Sequence, residues 1–347
     1  MNRCKKEKKG LKAVKKFFIV LLILLSSLLF LSLILYCVFF LISPNPSAHV
    51  VRAVFKHSPA KAPENIDDIS ARTIAVFDVE YPSDYPDNLM DIYLPKENKF
   101  ASSPVIIWIH GGAFVGGDKS DTRFFARTLA SEGYAVFTIN YRLAPEEKYP
   151  TPFLQLNDAY HFIYEQAERY QLDMHRLFLA GDSAGAQIAG QTANALTNES
   201  YKNSLPFQSD IPEKDLKGLL LYCGIFSVGD FSSITSNHFL VQLFKMIGWS
   251  YFGEKNWRQS SLLDETDVIA HVTEDFPPAF ITDGNTMSFE SLAKMLVQRL
   301  DELGTAHDSL FFPIDEYETK HEYQFVQNTD AARSAVERTL AFLEKYS

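Results

Sequence analysis

Arg176-Leu-Phe-Leu-Ala-Gly-Asp-Ser-Ala-Gly-Ala-Gln-Ile-Ala-Gly190 is the stretch on which the fold turns. A short apolar run leads into Gly181-Asp182-Ser183-Ala184-Gly185, and small, helix-compatible residues continue to about Leu196. Strand, sharp turn and helix form the context in which G-x-S-x-G carries chemistry. A serine on such a strained turn keeps its Oγ exposed, and the flanking glycines remove the Cβ atoms that would collide there. The bare motif is a weak signal; the strand before it and the Ala/Gly-rich helix after it make it specific. The competing reading of Ser183 is a tight turn and nothing more.

Around this stretch the chain alternates between apolar, β-rich runs and helical patterns, which argues an α/β fold with a mostly parallel sheet. Strand-like runs lie near 73–80, 89–94, 104–110, 134–140, 176–181, 217–223, 279–282 and 309–314. Helical patterns fill 121–132, 152–170, 184–197, 287–303 and 329–346. The first two runs have turn residues between them and no helix, so they read as an antiparallel start. The spacing therefore predicts eight strands in one wound sheet over most of 72–347, with helices on both faces. Between Gly224 and Pro277 the alternation stops, and Phe226, Phe231, Phe239, Phe244, Trp249, Tyr251, Phe252 and Trp257 are spread through the gap. So long an interruption reads as a lid, or else as an added helical layer with its own packing. Its bounds are about 225–276.

The N-terminus is of a different kind. Residues 1–16 carry eight Lys or Arg against one Glu, leaving 25 basic and 42 acidic side chains in the rest of the 347-residue chain. An acidic globular part argues against a nucleic-acid partner, whose phosphates it would repel. Phe17 to Ile42 runs for 26 residues without a charge, longer than a cleavable leader's apolar stretch and long enough to span a bilayer. The basic cluster before it is expected to stay in the cytoplasm, placing residues 43–347 outside the cell membrane on a single-pass anchor, 17–42. Residues 43–71 read as a linker and candidate cap segment. Composition is 46% hydrophobic and 14% aromatic, enough for a sizeable core. Of the three cysteines only Cys223 falls in the globular part, so no disulfide forms there, and no C-x-x-C or H-E-x-x-H pattern indicates a metal.

Two further stretches join Ser183. His110-Gly-Gly-Ala-Phe114 follows the apolar run Val105 to Ile109, and its glycine pair leaves backbone N–H groups free to approach a ligand oxygen. In acyl transfer such donors stabilise a developing oxyanion, and the N–H of Ala184, after the nucleophile, would be a third. The base is expected late in the chain, and His321 lies in Tyr317-Glu-Thr-Lys-His-Glu-Tyr-Gln-Phe325, between the last strand and the last helix. His307 precedes that strand, His271 lies in the insertion, and His110 belongs to the glycine turn.

Taken together, His110-Gly-Gly-Ala-Phe-Val-Gly-Gly117, Asn140-Tyr-Arg-Leu-Ala-Pro-Glu146, Gly181-Asp-Ser-Ala-Gly-Ala186 and the late His321 with Phe325 resemble the hormone-sensitive-lipase-like esterases of the α/β-hydrolase fold. The resemblance frames residues from about 75 to the C-terminus. It implies carboxylic-ester hydrolysis without a cofactor, on a small-molecule ester, with Gly111, Gly112 and Ala184 as oxyanion donors. It also implies that residues 48–71 and the insertion cap the acyl pocket.

The acid departs from that pattern. The family reads Pro-Pro-Ala, a strand, then Gly-x-x-Asp-Pro-Leu; here Pro277-Pro-Ala279 is followed by Thr282-Asp-Gly-Asn-Thr-Met-Ser-Phe-Glu290, and the acid position holds Met287. Glu290, one turn into the next helix, could reach back toward position 287. Asp283 sits at the strand end. A third reading is no functional acid at all, and then the fold serves as a binding module. A deacetylase of surface sugars fits the same residues.

Overall fold

The computed structural model describes residues 2–55, 60–97, 99–229 and 238–347, in two compact units, Met1–Ser47 and Ala48–Ser347. Phe231 and the rest of 230–237 in the aromatic insertion therefore lie outside the described residues. In the first unit a helix, Asn2–Cys37, passes into a π-helical turn, Val38–Ile42. Val14–Ile42 is long and apolar enough to cross a membrane, a test that an N-terminal leader also passes.

The second unit is built on an eight-stranded sheet. Its strands are β1 (Thr73–Glu80), β2 (Leu89–Pro95), β3 (Ser103–Ile109), β4 (Ala135–Ile139), β5 (Leu172–Asp182), β6 (Leu216–Tyr222), β7 (Ala279–Thr282) and β8 (His307–Leu310). They lie in the order β1-β2-β4-β3-β5-β6-β7-β8. β1 pairs antiparallel with β2, and β2 antiparallel with β4; every later pairing is parallel. This is the eight-stranded, mostly parallel sheet with an antiparallel start that the alternation predicted.

The central strands are apolar on both faces because both are covered. Along β3, Ile107 and Ile109 enter one core while Ile106 and Trp108 enter the other. The first core takes Phe153 and Leu156 from the helix Thr151–Glu165, Ile188 from Ala184–Thr197, and Leu292 and Leu296 from Glu290–Leu303. The second takes Phe125 and Leu129 from Arg123–Ser131, with Phe342 and Leu343 from Asp330–Tyr346.

Among the boundaries that differ from the sequence reading, two matter to the site. The last strand is His307–Leu310 rather than 309–314, and the chain leaves the sheet before Pro313, which has no N–H to give a ladder. The helix expected from 287 begins at Glu290; Met287 instead adopts a left-handed φ of 51° and is 84% exposed. Within the insertion, His238–Phe252 forms a single helix.

Candidate active site

Strand β5 delivers Ser183 into a strained turn, with φ 52° and ψ −114°, a conformation that costs a non-glycine residue about 1–3 kcal/mol. The surroundings hold it there. Its N–H donates to the Tyr222 carbonyl at 2.8 Å, pinning the turn to β6. A Cβ on Gly185 would meet the Ile109 carbonyl oxygen at 1.9 Å, and one on Gly181 would meet Gly185 at 2.3 Å. Both glycines are therefore demanded by backbone-to-backbone approach.

The glycine loop after β3 corrects one expectation. Gly111 N–H is not free for substrate: it donates to Asp182 Oδ2 at 2.8 Å, while Trp108 Nε1–H donates to Oδ1 at 2.8 Å. A carboxylate only 2% exposed must collect donors, and the adjacent loop supplies one. Gly112 and Ala113 follow at φ 105° and 55°. Among the described residues, no hydrogen bond within the protein uses the N–H groups of Gly112, Ala113 or Ala184. Ala113, which sequence reasoning passed over, replaces Gly111 as the loop's second free donor; the signal for it was the buried Asp182.

Asn140-Tyr-Arg-Leu-Ala-Pro-Glu146 braces this loop. Tyr141 stacks on His110 at 4.5 Å and its hydroxyl donates to the His110 carbonyl at 3.1 Å; Ala144 N–H donates to the Phe114 carbonyl at 2.9 Å. Arg52 clamps both segments, donating to the carbonyls of Val115 at 2.7 Å and Ala144 at 2.9 Å and to both Glu146 oxygens. The Arg52 hydrogen bonds hold the Glu146 carboxyl down to about 2.

His321 lines the same cavity as Ser183. Its Nδ1 lies 2.7 Å from Ser288 Oγ, and the Ser288 hydroxyl donates to Asp283 Oδ1. With the hydroxyl proton directed at the carboxylate, Oγ accepts Nδ1–H, which fixes the tautomer and leaves Nε2 bare. Burial pushes His321 down to about 4, so the ring is neutral at physiological pH. Asp283 is fully buried at the end of β7, and burial pushes it up to about 7. The loops carrying Asp283 and His321 are stitched together by Asn285, whose amide donates to the carbonyls of Phe312 and Tyr317 at 2.8 Å each and whose oxygen accepts Thr319 N–H at 2.9 Å.

Glu290 lines the same cavity but does not reach the imidazole. Its carboxylate pairs with Lys294 at 3.0 Å, one turn along its own helix, and among the described residues no hydrogen bond joins it to His321. The late helix start explains this: residues 287–289 are loop, so Ser288 rather than Glu290 reaches the imidazole. Ser288 was not singled out from sequence, since nothing in a lone serine there announces a bridge.

Cys223, Asp283 and His321 each bring one potential metal-ligand atom within 4.8 Å of the others. The fit is poor. Burial raises the Cys223 thiol well above its ordinary value, and Ser288 already bonds both other groups.

The cavity measures about 570 Å³. Leu240, Leu243, Phe244 and Ile247 of the insertion helix form much of its wall, with Val51, Ile225 and Phe289, and among the described residues no Lys or Arg lines it. Phe114 stacks on Tyr251 at 3.9 Å, joining that helix to the glycine loop.

Comparison with known proteins agrees with this architecture. Esterase LipC of Mycobacterium tuberculosis is 26% identical over 206 residues, 58% of this chain and 49% of that protein. An ethyl acetate hydrolase of Pseudomonas putida is 33% identical over 103 residues, 29% of this chain and 32% of the relative. The matched stretches thus span less than half the length of these curated relatives. Among solved structures, esterase B of Lactobacillus rhamnosis superposes with a TM-score of 0.71 at 19% identity, covering 87% of this chain and 96% of that one. The thermostable carboxylesterase EstE1, cloned from a metagenomic library, gives 0.64 at 19%, covering 88% and 98%. The solved structures give the chain the α/β-hydrolase fold, and the BD-FAE family model matches residues 90–289, from β2 through Ser183 to Phe289: the chain belongs to that family.

Proposed function

We propose that this protein is a membrane-anchored serine esterase that hydrolyses uncharged carboxylic esters with an apolar acyl group, its catalytic unit lying outside the cytoplasm. One observation carries the reading: Ser183, on a strained turn, shares a cavity with His321, whose Nδ1 is tied through Ser288 to a buried carboxyl. His321 Nε2 takes the Ser183 proton as Oγ attacks the ester carbonyl. The oxyanion of the tetrahedral intermediate is held by the N–H groups of Gly112, Ala113 and Ala184. The imidazolium returns its proton to the departing alkoxide, leaving an acyl-enzyme and an alcohol. Water, deprotonated by the same nitrogen, then releases the acid and restores Ser183. Asp283 is the acid, acting through Ser288 on the imidazolium. The relatives named as esterases and as an ethyl acetate hydrolase support the reaction class, and the apolar wall supports an uncharged acyl chain. The apolar stretch and the basic cluster before it support the anchor and its orientation.

The test is hydrolysis of p-nitrophenyl acetate, butyrate and octanoate by the full chain in detergent. Ser183→Ala is expected to lower kcat on the order of 10⁶-fold. Equal turnover by wild type and variant overturns the mechanism. Protease added to intact cells should digest the catalytic unit; full protection overturns the orientation.

A further inference from the structure

Glu322 carries a carboxyl that the mechanism above does not use. It follows His321 at a left-handed φ of 58°, and its N–H donates to the Cys223 sulfur at 3.2 Å. That bond turns the side chain inward: it is 16% exposed, and Oε1 lies 3.7 Å from His321 Nε2. Nε2 is the nitrogen left free once Nδ1 engages Ser288. A second carboxyl stands beside it. A Cβ built on Gly111 would lie 2.4 Å from Asp182 Oδ2 and 3.0 Å from Glu322 Oε1, so both oxygens crowd the same point of the glycine loop.

Three segments of the site therefore converge on two carboxyls: the glycine loop through Gly111, the nucleophile turn through Asp182, and the base loop through Glu322. Among the described residues neither carboxyl is paired with a Lys or Arg. Two buried carboxylates this close do not both ionise cheaply, and one shared proton turns repulsion into a hydrogen bond. Burial raises both above the ordinary carboxyl range, and repulsion by Asp182 raises Glu322 further.

We propose that Glu322 is a positioning residue that shares one proton with Asp182, tying the His321 loop to the nucleophile turn and the glycine loop, and that loss of this proton at alkaline pH shuts the site down. The inference rests on the reading of Ser183 and His321 as a hydrolytic pair. An ionised Glu322 would hold the proton on Nε2 and set a negative charge beside the donors meant for the oxyanion. The other groups facing it do not offset that charge. Asp182 from β5, Asp121 from the turn Lys119–Thr122 and Asp283 after β7 are acids, Cys223 is a neutral thiol, and His321 is a neutral ring.

The experiment compares wild type, Glu322→Gln and Glu322→Ala, as full chains in detergent. It measures kcat and KM for p-nitrophenyl butyrate and Tm, each across pH. Wild-type kcat should fall at alkaline pH. The Gln variant keeps a donor for Asp182 and cannot ionise, so it should lose that fall; the Ala variant should lose about 10²-fold in kcat with a smaller change in KM. The thermal readout has a fixed sign. A raised carboxyl binds its proton more tightly folded than unfolded, so stability drops as pH climbs from the ordinary carboxyl range toward the folded-state value. Wild-type Tm should show that drop and the Gln variant a shallower one. A Gln variant retaining both the alkaline fall and the wild-type Tm slope overturns the proposal, as does an Ala variant with unchanged kcat. If wild type turns over no ester, the esterase reading fails by itself, and the Tm comparison alone then decides the pair.

Discussion

On one side of the cavity, Ser183 and the free N–H groups of Gly112, Ala113 and Ala184 are set by backbone geometry. On the other, the His321 imidazole is oriented by side chains, through Ser288 to Asp283. The first arrangement is stiff because every alternative meets a main-chain atom; the carbonyl of Ile109 stands 1.9 Å from where a Gly185 Cβ would be. The second is a series of single hydrogen bonds, each removable by one substitution. Substitutions should accordingly grade the base side link by link.

The largest effect is expected at its far end. Asp283→Asn should lower kcat about 10⁴-fold, because an amide neither stabilises the imidazolium nor enforces the Nδ1–H tautomer through Ser288. The same carboxyl predicts a pH profile. Burial pushes Asp283 up to about 7, so it is protonated and ineffective below that value, and kcat/KM should rise as pH passes through about 7. The Asn variant should lack the rise; a rise that survives would assign it elsewhere. Ser288→Ala comes next, at about 10²-fold in kcat, since the imidazole loses its tether while the carboxylate stays nearby. An unchanged kcat there would mean that Asp283 reaches His321 without a bridge. Glu290→Gln should change kcat within about threefold, because its pair with Lys294 lies along the helix surface and such pairs are worth under about 1 kcal/mol. A collapse there would return the acid role to Glu290.

The same contrast explains what could be read from the chain. Backbone-determined parts leave contiguous marks: the apolar run into Gly181-Asp-Ser-Ala-Gly185 announces strand, turn and helix, and the β-rich runs place the sheet to within a few residues. The antiparallel start followed from the turn residues between the first two runs, and the wound sheet from the alternation. Side-chain relays leave no such mark. Whether position 283 or 290 addresses an imidazole at 321 depends on the helix starting at Glu290 rather than 287, and one turn of helix decides it. Gly111 failed as a donor for a related reason. Its N–H looks free until the fold brings Asp182, 71 residues later, against it.

Arg52 makes the segment after the apolar stretch part of the catalytic unit's architecture. Val51 lines the cavity, and Arg52 holds the glycine loop and Glu146 together through four hydrogen bonds. A soluble enzyme cut from this protein should therefore begin no later than Ala48. Trimming to the first strand at Thr73 would delete a lining residue of the cavity and the brace behind the glycine loop along with the apolar stretch.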